Sequence, residues 1–132
     1  MLLVDTNVLV DVLQDDPQWA DWSIGQLRAQ ASIHQLTINP IIYAEISLSF
    51  STLEGLDSAV STLALELREL PRPALFLAAK AFVQYRRRGG SKLQVLPDFF
   101  IGAHAAVEGW PLLTRDASRF RSCFPTLEVI AP

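Results

Sequence analysis

The chain has 132 residues, half of them hydrophobic, with a mean hydropathy of +0.25 and a net charge of −3. That length predicts one domain able to bury about two-thirds of its unfolded surface, while a single cysteine excludes an internal disulfide and a cysteine zinc cluster. The densest apolar stretches, IIYAEISLSF (41–50) and PALFLAAKAFV (73–83), are interrupted by charge and fall short of the roughly 18 apolar residues of a membrane span.

From the N-terminus, LLVD predicts a buried strand over residues 2–5, then a helix from Thr6 to Leu13. Asp15-Asp16-Pro17 marks a turn, and a second helix runs to about Gln30. A second strand is expected over His34–Ile38. Asn39-Pro40 is a cap followed by a first-turn proline, opening a helix to about Leu53. A shorter helix from Leu56 leads to a weak strand near Leu67–Leu70. Pro71 and Pro73 introduce a long helix that ends at Gly89. Another helix spans Pro97–Glu108, Pro111–Thr114 is a fourth strand, a turn of helix follows Asp116, and Leu127–Ile130 is the last strand. This alternation predicts the α/β class, with a central parallel sheet of four to five strands covered by helices on both faces.

In open parallel sheets, ligands bind beyond the carboxyl ends of the strands, where loops and helix N-termini converge. Asp5 and Asp116 fall at such ends, although each also suits a plain helix cap. Asp98, just after Pro97, likewise suits a first-turn acid favoured by the helix dipole. Glu45 is different: Ile41, Ile42 and Leu48, three or four residues away, put it on an apolar helix face. A carboxylate there needs a partner, and no Lys or Arg lies within one turn, so a bound cation or a distant basic residue is expected. The alternative is a helix rotated so that Glu45 reaches a pocket rim. In DFFIGAHAAV, Gly102 stands one turn after Asp98 and is expected to remove bulk beneath it. His104 points about 240° round from Asp98 and is expected to be structural or partly exposed, not a ligand. His34 has no partner spacing, and Cys123 no surrounding catalytic motif. Acids without His or Cys suit a hard divalent ion held by oxygen, Mg²⁺ or Mn²⁺.

Charge is uneven along the chain. Residues 1–85 carry four basic and ten acidic side chains, whereas residues 86–121 carry seven basic and three acidic. Arg86, Arg87 and Arg88 suit the last turn of a helix by complementing its dipole, or a patch that contacts phosphates. No basic region precedes Asp5, so the N-terminus does not look like a secretion signal and a cytoplasmic location is expected.

Together, VDTNVLVDVL, a helical Glu45, PDFFIGAHAA, LLTRDASRF and a closing LEVIAP resemble the PIN domain, specifically the small bacterial VapC type of toxin ribonuclease. The resemblance spans nearly the whole chain and keeps the order of its elements. It implies a three-layer α/β/α fold over residues 1–132. It also implies an acidic quartet, Asp5, Glu45, Asp98 and Asp116, that holds Mg²⁺ or Mn²⁺ and catalyses hydrolysis of RNA phosphodiesters. Asp5 and Asp98 would be the main ligands, with Thr6, Asn7 and Thr114 supporting the site. Arg86, Arg87, Arg88, Lys92, Arg115 and Arg119 are candidates for guiding the RNA backbone. A cognate antitoxin and a homodimer are implied as partners, with Trp19, Trp22 and Phe50 as exposed apolar residues that could serve dimerisation, or else belong to the core. A haloacid-dehalogenase-type phosphatase needs a second Asp two residues after the first, where this chain has Asn7. The other alternative is a catalytically inactive PIN-like module that binds RNA or protein.

Overall fold

The computed structural model describes residues 1–90 and 95–132. Five short strands, β1 (Leu2–Val4), β2 (Leu36–Ile38), β3 (Glu66–Leu67), β4 (Leu112–Leu113) and β5 (Val129–Ile130), form one sheet in the order β3-β2-β1-β4-β5. Every neighbouring pair is parallel, with Leu3 of β1 opposite Thr37 on one side and Leu112 on the other. Leu2, Leu3, Val4, Ile38, Leu112 and Leu113 are fully buried. Such strands are continuous apolar runs because helices cover both faces.

Among the described residues seven α-helices supply that cover: α1 (Thr6–Leu13), α2 (Ala20–Ala31), α3 (Pro40–Ile46), α4 (Leu53–Thr62), α5 (Arg72–Arg87), α6 (Leu96–Glu108) and α7 (Ser118–Cys123). From β1 the chain steps outward to β2 and β3, then returns past β1 to β4 and β5. Parallel crossovers are right-handed, so this reversal sends α1–α4 to one face and α5–α7 to the other. Between β1 and β4 the crossovers diverge and leave a crevice at the carboxyl ends of both strands. This is where Asp5 and Asp116 emerge.

Local chemistry sets the boundaries. Asp5 leaves β1 to cap α1, its Oδ1 accepting from the Thr6 amide at 2.8 Å. Asn39 caps α3 by accepting from the Ile42 amide at 3.0 Å, with Pro40 behind it. The expected helix from Pro40 to Leu53 is in fact broken. It ends at Ile46, tightens into a 3₁₀ turn over Ser47–Ser49, and turns extended at Phe50. Ser47 Oγ donates back to the Tyr43 carbonyl at 2.6 Å, and Thr52 caps α4 through the Gly55 amide. Hydroxyl side chains that bond to nearby backbone in this way compete with a continuing helix. The next helix consequently starts at Leu53 and not Leu56. β3 covers Glu66–Leu67 and not Leu67–Leu70.

Two packing expectations also change. Gly102 makes room for rings and not for Asp98: a Cβ there would stand 2.5 Å from the Phe124 ring and 3.1 Å from that of Phe120. α6 and α7 therefore touch through this glycine. Trp19, Trp22 and Phe50 are half-buried, whereas the large apolar residues most open to solvent are Leu48, Ile33, Phe76 and Leu53. His104 is structural, as expected, but fully inside. Its Nδ1 accepts from Asn39 Nδ2 at 3.1 Å, its ring lies against Trp110, and burial holds its pKa below the ordinary value. No helix among the described residues is long and apolar enough to cross a membrane.

Candidate active site

At the crevice between β1 and β4 lies a cleft of about 300 Å³ lined by Asp5, Thr6, Asn7, Val10, Glu45, Asp98, Arg115, Asp116 and Phe120. The four carboxylates come from four separate places: the end of β1, the last turn of α3, the first turn of α6 and the turn after β4. Their meeting depends on the fold, since no two are close in sequence.

Asp5 is the deepest, at 4 % exposure. Besides the Thr6 amide on Oδ1, its Oδ2 accepts from the Thr114 hydroxyl at 2.7 Å. Burial pushes its carboxyl up to about 7. The Thr114 and Thr6 hydrogen bonds oppose that rise, and the charges of Asp98 and Glu45 add to it. Glu45 is half-buried and accepts from the Thr6 hydroxyl at 2.6 Å. Glu45 reaches the cleft rim, as the alternative reading had it, while Ile42 on the same helix is buried; Leu48, expected beside Glu45, lies beyond the end of α3 and is 90 % exposed. The hydrogen-bond partner of Glu45 among the described side chains is this Thr6 hydroxyl at the cleft wall and not a basic residue.

Asp98 is half-buried and pairs with Arg119, whose Nη1 donates to Oδ2 at 2.7 Å. Burial raises the Asp98 pKa, Arg119 opposes the rise, and Asp116 adds to it. Asp116 is exposed at the mouth, two residues ahead of α7. Its amide donates to Thr114 Oγ1 at 3.2 Å. Thr114 and Asn7 are linked at 3.4 Å, so the supporting side chains form one network beneath the acids. Among the described residues, no three His, Cys, Asp or Glu side chains stand close enough as they are to hold one ion. The donor chemistry nonetheless fits a hard dication, because every titratable side chain in the cleft apart from Arg115 offers carboxylate oxygen. Repulsion among these carboxylates adds to the burial that raises Asp5 and Asp98.

The family profile described as PIN domain matches residues 2–122. The chain belongs to the PIN domain family. As a PIN domain it shares its fold with solved structures at low sequence identity. VapBC2 from Rickettsia felis, bound to a DNA fragment from its promoter, matches at a TM-score of 0.77 and 20 % identity, over 99 % of this chain and 98 % of that one. DNA-bound VapBC from Salmonella typhimurium matches at 0.73 and 18 %, over 99 % and 98 %. FitAcB from Neisseria gonorrhoeae matches at 0.68 and 19 %, over 98 % and 96 %. No curated protein sequence matches this chain significantly.

The basic candidates for this PIN domain divide in three. Arg86, Arg87 and Arg88 are exposed at the C-terminal end of α5, outside the cleft lining, where they complement the helix dipole. Arg115 and Arg119 are engaged by Asp11 and Asp98. Lys92 lies outside the described residues. Sequence reasoning missed Asp11, buried in α1 three residues after Val8, although the argument that singled out Glu45 applies to it equally.

Proposed function

We propose that this PIN domain is a Mg²⁺- or Mn²⁺-dependent endoribonuclease and acts as the toxin of a bacterial toxin–antitoxin pair. The observation that carries this reading is the convergence of Asp5, Glu45, Asp98 and Asp116 on one cleft at the sheet's reversal point. Asp5 and Asp98 would hold the ion, with Glu45 and Asp116 holding a second ion or orienting water. Charge supplied there neutralises a phosphate and lowers the pKa of water enough for in-line attack on phosphorus. Thr6 and Thr114 hold Glu45 and Asp5 through their hydroxyls, which limits the rotamers these carboxylates sample.

Several of the structural neighbours are described as toxin–antitoxin proteins, which supports a cognate antitoxin as partner; a cytoplasmic location belongs to the same proposal. An acidic cleft is a ready site for a basic antitoxin side chain. A homodimer and a single domain over residues 1–132 belong to the same proposal. Arg86, Arg87 and Arg88 would follow the RNA backbone without reading sequence. Reversing their charge is expected to weaken RNA binding and flatten its salt dependence, measured by filter binding across a salt series; an unchanged slope removes them from the interface.

The deciding experiment is incubation of labelled total RNA with the purified protein in Mn²⁺ or Mg²⁺, and in EDTA. Cleavage that EDTA abolishes is the expected result. RNA retained but uncut in every condition would make the protein a non-catalytic binding module.

A further inference from the structure

Arg115 borders the cleft, but its guanidinium is committed to a buried acid. Its guanidinium forks onto Asp11, Nε to Oδ2 at 3.0 Å and Nη2 to Oδ1 at 3.1 Å. Asp11 is 2 % exposed and also accepts from Ser23 Oγ of α2 at 2.8 Å, while the Trp19 ring lies 5.4 Å from the guanidinium carbon. One side chain thus ties the turn after β4 to α1 and α2.

That turn carries the last acid of the cleft. The Arg115 amide donates to Asn7 Oδ1 at 3.1 Å, and Asn7 Nδ2 donates to Thr114 Oγ1. Thr114 in turn donates to Asp5 and accepts from the Asp116 amide. A hydroxyl has one proton and two lone pairs, and all three are used here. An unbroken chain of polar contacts therefore runs from buried Asp11 to Asp5 and Asp116. Stability alone does not account for it, because a well-packed apolar pair commonly serves as well as a buried ion pair. What the planar fork adds is a fixed direction.

We propose that the Asp11–Arg115 pair, braced by Ser23 and Trp19, is a positioning device that sets the Thr114–Asp116 turn and with it the placement of Asp116 and Asp5. This rests on the reading of the cleft as a divalent-ion site. Outer partners of metal-holding residues typically change metal affinity by about 10–100-fold when removed.

The test uses the full chain and Mn²⁺ alone, with free Mn²⁺ followed by electron paramagnetic resonance and folding followed by a circular dichroism melt. Arg115→Lys keeps the counter-charge for Asp11 but loses the fork, and the double variant Asp11→Leu with Arg115→Met replaces the pair by apolar packing. Both are expected to melt cooperatively while binding Mn²⁺ about 10–100-fold more weakly than the wild type. Wild-type affinity in either folded variant would overturn the proposal. Should the double variant fail to fold, Arg115→Lys decides alone. A wild-type chain that binds no Mn²⁺ would overturn the ion-site reading itself, and this inference with it.

Discussion

Asp98→Asn is expected to lower Mn²⁺-supported RNA cleavage by about 10²–10³-fold or more, the scale of losing one preorganised electrostatic contact to the transition state. The side chain stands in the first turn of α6 with its carboxylate on the cleft. Asparagine has the same shape and can still accept from Arg119, so the geometry is retained and only the charge is lost. Arg119 and Asp98 are both partly open to water, and such pairs add little to stability. The melting temperature should therefore move by no more than a few degrees. A large loss of cleavage with an unchanged melt places Asp98 in the chemistry. Cleavage at the wild-type rate by a folded Asp98→Asn protein would show that the cut is made elsewhere.

The elements of this fold were largely legible in the sequence because their signals are local. Asn39-Pro40 opens α3 where a cap and first-turn proline should, and the LLV run is a strand buried on both faces. The four cleft acids were legible too, each by its position at a strand end or on a helix face. What escaped was every feature that depends on long separations. The order β3-β2-β1-β4-β5 places Asp5 next to the turn bearing Asp116, and no periodicity encodes which strand returns beside β1. Counting basic residues grouped Arg115 and Arg119 with Arg86–Arg88, yet Arg115 is spent on an acid 104 positions away and Arg119 on one 21 positions away. The end of α3 was misread for a different reason. Leu48 looked like a buried neighbour of Glu45, but the hydroxyl-rich run from Ser47 to Thr52 closes the helix first.

In the metal-free protein, stability is expected to fall as pH rises from about 4 to about 7, and Asp5→Asn is expected to abolish most of that fall. The folded state holds the Asp5 proton up to about pH 7, whereas the unfolded chain releases it near the ordinary value of 3.8. Between those limits the folded state binds more protons than the unfolded one. Unfolding free energy then declines with pH, and the stabilising contribution of the neutral carboxyl is gone above pH 7. The raised Asp98 acts in the same direction. Asparagine at position 5 keeps an acceptor for the Thr6 amide and carries no charge to desolvate; its Nδ2 cannot accept from Thr114 as Oδ2 does, and net of that loss it should stabilise the metal-free fold at pH 8 by on the order of 3 kcal/mol. Urea midpoints at pH 5 and pH 8 measure this, and a wild-type midpoint that is flat or rises between them would refute it. Added Mn²⁺ supplies the discriminating arm. An ion that binds only the folded state raises stability by mass action, so saturating Mn²⁺ should restore the wild type at pH 8 and leave Asp5→Asn almost unmoved. The same carboxylate would then account for both the cost of burying charge in the cleft and its relief by a cation.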